Sequence, residues 1–182
     1  MTVDNRVRIV GGDWRSRKIP FPDKYDIRPT PDRVRETLFN WLGQTLYGKT
    51  CLDLFAGSGA LGFEAASRGA EKVVMVEKNR DVARSIAENA KALGCNRLDL
   101  VCMDAIKFLD SDSRIYDVIF LDPPFGSNYL PLLWSKLEDR LADDGVVYAE
   151  AGEFPEVPAG WTVLKSGKAG KVNFRLLSHV AG

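Results

Sequence analysis

Histidine is almost missing from this chain. His179 stands alone among 182 residues, and no His/Cys cluster offers the ligand set that zinc takes. The three cysteines, Cys51, Cys95 and Cys102, are odd in number and have no C-x-x-C spacing. Reduced, buried thiols in a cytoplasmic protein are the expectation. No apolar run approaches the ~20 residues of a membrane-spanning helix, and the first ten residues, MTVDNRVRIV, contain no signal-peptide core. Net charge is absent too, 25 basic side chains facing 25 acidic ones, so bulk electrostatics announces no partner. Neither an internal repeat nor a low-complexity segment is found. With no long heptad and no apolar surface stripe, a monomer is expected.

What is present is an ordinary globular composition, 45% apolar and 27% charged, of a length suited to one core with a small appendage. From residue 50 onward, apolar runs alternate with segments of helical period. The runs at Thr50–Phe55, Lys72–Glu77, Leu98–Met103, Tyr116–Leu121 and Gly145–Glu150 are apolar on nearly both faces, as strands of a covered parallel sheet are. Val82, Ile86, Ala90 and Leu93 share one helix face that Gly94 stops, and Leu130, Leu133, Leu137 and Leu141 form a second stripe. Such alternation predicts βαβ units, an α/β sheet with helices on both sides. The chain ends differently. Trp161–Leu164 and Val172–Leu177, joined by Lys165–Lys171, predict an antiparallel hairpin at the sheet edge. Ahead of the sheet, Arg6–Val10 and Arg17–Phe21 predict a small hairpin around Gly11-Gly12-Asp13-Trp14. A helix follows, with Thr30 as cap and Pro31 in its first turn. The expected division is an arm over 1–46 packed on a main domain over 47–182.

Charge is uneven along this frame. Residues 1–35 hold nine basic and five acidic side chains, a net of +4, which leaves −4 for the remainder. A basic arm on an acidic body suits a polyanion contact made at one end, although charge alone favours the simpler reading of a solvated arginine-rich surface.

The segment Cys51-Leu52-Asp53-Leu54-Phe55-Ala56-Gly57-Ser58-Gly59-Ala60-Leu61-Gly62 runs from strand through glycine loop to helix, and Glu77 ends the next strand 18 residues after Gly59. A carboxylate at that place can accept both hydroxyls of an adenosine ribose. The spacing G-x-G-x-x-G also admits a nicotinamide dinucleotide, but Asp53 beside the loop would repel a pyrophosphate. A cofactor carrying an ammonium and a sulfonium, S-adenosylmethionine, is stabilised by the same carboxylate. The alternative for Asp53 is a helix cap or a loop-bracing acceptor. Asp104 ends the following strand, where it either meets the adenine amine or caps the helix after it.

At the fourth strand end stands Phe120-Leu121-Asp122-Pro123-Pro124-Phe125-Gly126. An exocyclic amine of a nucleobase is a poor nucleophile because its lone pair is delocalised into the ring. Asp122 and a main-chain carbonyl freed by Pro123 and Pro124 could accept its two N–H bonds, and these strengthen as the nitrogen becomes cationic. Asp122 need not be a strong base, because the methylated nitrogen loses its proton readily. Phe125 offers a surface on which an extruded base stacks.

D-L-F-A-G-S-G, Glu77, Asp104 and D-P-P-F together resemble the motifs of class I S-adenosylmethionine-dependent methyltransferases acting on exocyclic amines. R-I-V-G-G-D-W-R-S-R-K and R-P-T-P-D-R-V-R-E-T-L-F-N-W-L resemble a narrower group, the bacterial RsmD-type enzymes that modify a guanine N2 of small-subunit (16S) ribosomal RNA. The resemblance implies a Rossmann-like sheet of order 3-2-1-4-5-7-6 with the last strand antiparallel. It implies cofactor contacts at Asp53, Phe55, Gly57, Gly59, Glu77 and Asp104, and chemistry at Asp122, Pro123, Pro124 and Phe125. RNA phosphate would be gripped by Arg8, Arg15, Arg17, Lys18, Arg28, Arg33 and Arg35, with ribosomal RNA or an assembling small subunit as partner. Trp14, Ser16 and Pro31 depart from the group's usual residues. Competing readings are a DNA enzyme acting on adenine N6 or cytosine N4, which would need a recognition domain for a duplex site that 182 residues leave no room for, and another RNA enzyme acting on the same amines. More remote are a nucleotide-binding oxidoreductase and a catalytically silent RNA-binding module.

Overall fold

A computed structural model describes residues 5–124 and 128–180. The chain opens with an antiparallel hairpin, β1 (Arg6–Arg8) and β2 (Lys18–Pro20), followed by helix α1 (Asp32–Trp41). There follow β3 (Thr50–Asp53), α2 (Ala60–Ser67), β4 (Lys72–Val76), α3 (Arg80–Leu93), β5 (Leu98–Val101) and α4 (Ala105–Ser111). The chain ends with β6 (Tyr116–Leu121), α5 (Tyr129–Glu138), β7 (Leu141–Ala151), β8 (Trp161–Ala169) and β9 (Val172–His179). The large sheet runs β5-β4-β3-β6-β7-β9-β8. Its first five strands are parallel, and β9 is antiparallel to both neighbours. Counted from β3, that is the expected order 3-2-1-4-5-7-6.

The two faces of the sheet follow the strand period of two. Cys51, Val73, Met75, Val118 and Phe120 point to a layer made by the hairpin and helices α1, α2 and α3. Leu52, Val74, Val76, Ile119 and Leu121 point to α4 and α5. Helix α3 behaves as its sequence predicts. Val82, Ile86 and Ala90 are buried, Asn79 caps its start with a side-chain oxygen, and Gly94 closes its end at φ 69°.

Several expectations need correction. Leu141 lies in β7 rather than on the helix stripe, because α5 ends at Glu138 and Tyr116 N–H draws the Arg140 carbonyl into the sheet at 2.8 Å. The register then slips between Tyr116 and Val118, which leaves Asp143 and Asp144 exposed. The terminal hairpin turns at Gly170-Lys171 alone, and Lys165–Ala169 belong to β8, where register shifts after Val163. Thr30 does not cap α1. Pro31 is the N-cap with no side-chain bond, because the Thr30 hydroxyl is directed at Glu150. Of the cysteines, Cys51 is buried and burial pushes its thiol up to about 12, Cys95 is half-buried, and Cys102 is exposed.

The arm is fixed by buried charge. Glu64, on a helix whose every residue is buried, is 0% exposed. Its carboxylate accepts Val10 N–H at 2.8 Å, Gly11 N–H at 2.9 Å, Arg35 Nη1 at 2.9 Å and Arg68 Nε at 2.9 Å. Gly12 (φ 80°) lies so close to α2 that an added Cβ would sit 2.0 Å from the Ser67 carbonyl oxygen. Arg35 is the one proposed phosphate-gripping residue that the fold withdraws. It is 0% exposed, and its guanidinium donates to Glu64, Asp32 and the carbonyls of Arg8 and Thr30. No face is left for RNA. Arg8, Arg15, Arg17, Lys18, Arg28 and Arg33 are exposed.

Removing one partner of a buried ion pair costs about 3–5 kcal/mol, because the other charge stays behind unpaired. Glu64→Ala is therefore expected to lower unfolding free energy by about that amount in urea titrations, well beyond the effect of Glu71→Ala at an exposed position.

Candidate active site

Strands β3 and β6 are neighbours, yet the chain leaves them in opposite directions across the sheet, to β4 on one side and β7 on the other. Crevices open at such switch points, beyond the carboxyl ends of the strands. Here the crevice is a cleft of about 590 Å³. Its floor is formed by residues 53–58, 76–78, 103–105 and 122–124, and residues 25–30, the segment linking β2 to α1, strap one side. Tyr129 adds an aromatic wall with Phe55, the rings meeting edge-on at 5.1 Å.

Of the six predicted cofactor residues, Asp53, Phe55, Gly57, Glu77 and Asp104 line this cleft, and Asp122, Pro123 and Pro124 join them. Gly59 does not line it. Gly59 holds φ 84° at the N-cap of α2, and a Cβ there would fall 2.7 Å from the Phe63 ring, so its role is in the turn. Phe125 lies outside the described residues.

The glycine loop satisfies its own main-chain donors. Gly57 N–H donates to Glu77 Oε2 at 2.9 Å, Gly59 N–H to the Ala56 carbonyl at 2.8 Å, Ala60 N–H to Ser58 Oγ at 3.2 Å, and Gly62 N–H to Asp53 Oδ2 at 3.0 Å. A phosphate-binding loop keeps such donors for its anion. This one presents carboxylates instead, which fits a cationic cofactor and opposes a pyrophosphate. Asp53 thus braces the loop, the role the sequence reading placed second, while still lining the cleft. Asp104 caps α4 through Oδ2, which takes Ile106 and Lys107 N–H at 3.1 and 3.2 Å. A carboxylate has acceptor sites beyond those two, so capping leaves room for a ligand.

The acids are crowded. Asp53 is 1% exposed, and its carboxyl is pushed up to about 7, by burial first and then by Glu77 and Glu150, against the opposing Gly62 hydrogen bond. Asp122 is held well above the ordinary carboxylate range, by burial and then by the charge and hydrogen bond of Glu150. Glu150, 7% exposed at the end of β7, also accepts the Thr30 hydroxyl at 2.9 Å and the Tyr148 hydroxyl. Sequence reasoning gave Glu150, Tyr148, Thr30 and Tyr129 no role at the site. For Glu150 a signal was present, a carboxylate at the carboxyl end of the fifth parallel strand, as at the other four. A second recess of about 230 Å³ opens beyond Asp122. It shares Arg28, Pro29, Thr30 and Asp122 with the cleft and adds Glu150 and an apolar floor.

Sheet order, switch-point cleft and acidic loop define the class, a methyltransferase of the class I fold. The comparisons narrow it. A family model described as Conserved hypothetical protein 95 matches residues 7–178. Ribosomal RNA small subunit methyltransferase D of Escherichia coli (strain K12) is 41% identical over 181 residues, spanning 97% of this chain and 91% of that one. Its namesake in Haemophilus influenzae is 40% identical, spanning 95% and 94%. The solved structure of the Escherichia coli protein yhhF superposes with a TM-score of 0.88 at 40% identity, covering 97% and 99% of the two chains. The methyltransferase SMU.776, solved with SAH, shares the fold at 19% identity and a TM-score of 0.65, over 80% of this chain and 48% of its own. The chain belongs to this RsmD family.

An unfolded aspartate loses its proton near 3.8, whereas folded Asp53 holds it to about 7. The folded state therefore binds more protons between those values, and stability falls as pH rises through that window. Asp53→Asn keeps an acceptor for Gly62 N–H and removes the charge. It is expected to be more stable than wild type at pH 8 by roughly 1–3 kcal/mol, with the gap closing toward pH 5, and to bind S-adenosylmethionine more weakly. Urea titrations at both pH values and calorimetric binding check this; a variant less stable than wild type at pH 8 contradicts it.

Proposed function

We propose that the protein transfers a methyl group from S-adenosylmethionine to the exocyclic N2 of a guanine in small-subunit (16S) ribosomal RNA. The observation that carries this reading is the position of Asp122. Among the described residues it is the one carboxyl common to the cleft, whose acids suit a cation, and to the recess, whose apolar floor suits a base. An amine held there faces both. The names of the relatives supply the RNA, and the D-P-P-F resemblance supplies the amine.

S-adenosylmethionine brings an activated methyl on a sulfonium. In this reading Glu77 receives the ribose hydroxyls, each of its oxygens already taking one main-chain N–H, from Gly57 and from Asn79. Asp104 meets the adenine end, and Phe55 with Tyr129 forms the wall. Asp53 lies nearest the amino-acid end and offers negative charge to the ammonium. Asp122 and a main-chain carbonyl at Pro123 or Pro124 accept the two N–H bonds of the amine, aligning its lone pair with the methyl. Alignment contributes most, since effective molarities reach about 10⁵–10⁸ M; the charge-assisted bond adds about 1.5–3 kcal/mol. The nitrogen lone pair forms the N–C bond while the S–C electron pair returns to sulfur, and the cationic nitrogen then releases one proton. Phe125 stacks the extruded base. On the arm over residues 1–46, Arg8, Arg15, Arg17, Lys18, Arg28 and Arg33 contact phosphate.

Radiolabelled S-adenosylmethionine is offered with small subunits from cells lacking this activity, with naked ribosomal RNA, and with DNA. Label recovered as N2-methylguanosine from small-subunit RNA is the expected result; label in DNA alone, or as an adenine or cytosine product, overturns the assignment. Asp122→Ala is expected to retain cofactor binding by calorimetry and to lose turnover by about 100-fold or more. Undiminished turnover removes Asp122 from the mechanism.

A further inference from the structure

Glu150 is absent from the lining of the cofactor cleft, yet it touches Asp122, which lines both cavities. Its Oε1 accepts two hydroxyls, from Thr30 ahead of α1 and from Tyr148 on its own strand, and its carboxyl hydrogen-bonds Asp122. Two carboxyl groups can hydrogen-bond only through a proton that one of them carries. Asp122 is the member held well above the ordinary carboxylate range, so the shared proton is assigned to it, while Glu150 accepts the two hydroxyls. A neutral carboxyl keeps one oxygen free for an amine N–H, but it accepts that bond more weakly than the anion does.

We infer that Glu150 is a positioning residue for the methyl transfer: it fixes the Asp122 carboxyl at the junction of cleft and recess, and keeps it a weaker acceptor for the amine until their shared proton has left. This rests on the reading above that Asp122 accepts the substrate amine. The pair titrates as a unit within a defined surround. Asp53 on β3 adds a like charge that keeps the proton on. Arg28 in the strap lines both cavities but is exposed and ion-paired with Asp26, so its opposing field is screened. Tyr148 and Thr30 are the donors, and the rest of the recess is mainly apolar. A cationic cofactor in the cleft favours the ionised pair, so proton departure is coupled to its arrival.

The rate is therefore expected to fall on acidification through an ionisation above the ordinary carboxylate range. Glu150→Gln keeps a donor for Asp122 and an acceptor for both hydroxyls while removing the like charge. Its acid limb is expected to move down by a pH unit or more, with plateau kcat within a few-fold of wild type. Tyr148→Phe removes one donor to the Glu150 anion and moves the limb upward. Glu150→Ala loses about 10–100-fold in kcat with cofactor Kd unchanged, and recovery in Glu150→Gln distinguishes positioning from a folding defect. Independently of turnover, carboxyl-¹³C NMR of labelled aspartate, with Asp122 assigned through Asp122→Asn, follows the titration directly. A high midpoint in wild type that drops in Glu150→Gln supports the pair. Identical midpoints in the two proteins, or a Glu150→Ala enzyme with wild-type kcat and pH profile, overturn it. A displaced midpoint together with no label in any RNA supports the pair and sinks the substrate reading instead.

Discussion

The buried carboxylate of Glu64 is the contact on which the geometry of the site depends. It neutralises Arg35, and Arg35 Nε in turn holds the Thr30 carbonyl at 3.0 Å. Thr30 then spends its hydroxyl on Glu150, and Glu150 meets Asp122. A continuous polar path thus links α2, the first helix, the strap beside the cleft and the carboxyl end of β6. Every group along it is buried or nearly so, where an unmade hydrogen bond is costly. The arm is consequently part of the site's framework as well as a basic surface: shift α1 and the strap, and Glu150 loses a donor.

That rigidity matters because the cleft is electrostatically unfavourable while no cation is bound. Parallel strands β3, β4, β5, β6 and β7 each bring a carboxyl to their carboxyl end or just beyond it: Asp53, Glu77, Asp104, Asp122 and Glu150. Main-chain N–H groups stabilise the first three, and hydroxyls stabilise the last. What these donors do not offset is held as protons, as the upward displacement of Asp53 and Asp122 shows. A cation entering the cleft relieves the crowding, so the free energy stored among the acids favours binding of a positively charged cofactor over any anionic one.

Most of the fold was legible because parallel strands are apolar on both faces and leave few alternatives. The five runs, the helix stripe ended by Gly94, and the terminal hairpin emerge from periodicity and breakers alone. Legibility failed where local and long-range bonds compete. Thr30 before a proline is an ordinary cap signal, but its hydroxyl finds Glu150, 120 residues away. Leu141 continues a helical stripe in sequence, but the chain turns at Arg140 to pair with Tyr116. Arg35 is indistinguishable from its basic neighbours by composition, and only the fold reveals a buried partner in Glu64. The carboxylates at the strand ends could be read from position, whereas the meeting of Asp122 with Glu150 depends on adjacent parallel strands ending at the same level.

The division between positioning and specificity follows from the same arrangement. In the proposed reading the exposed arginines of the arm would reach phosphates, which carry no sequence information, and with Arg35 buried that surface is confined to the hairpin, the strap and α1. In that reading the choice of base falls to the recess, where an amine would have to satisfy Asp122 while the ring rests on an apolar floor. Guanine presents two adjacent donors, N1–H and N2–H, to such an acidic wall; adenine and cytosine each present an acceptor beside their amine, which an anionic carboxylate repels. The proposed function thus assigns holding to the basic surface and reading to the recess, and the strap carrying Arg28 and Thr30 borders both.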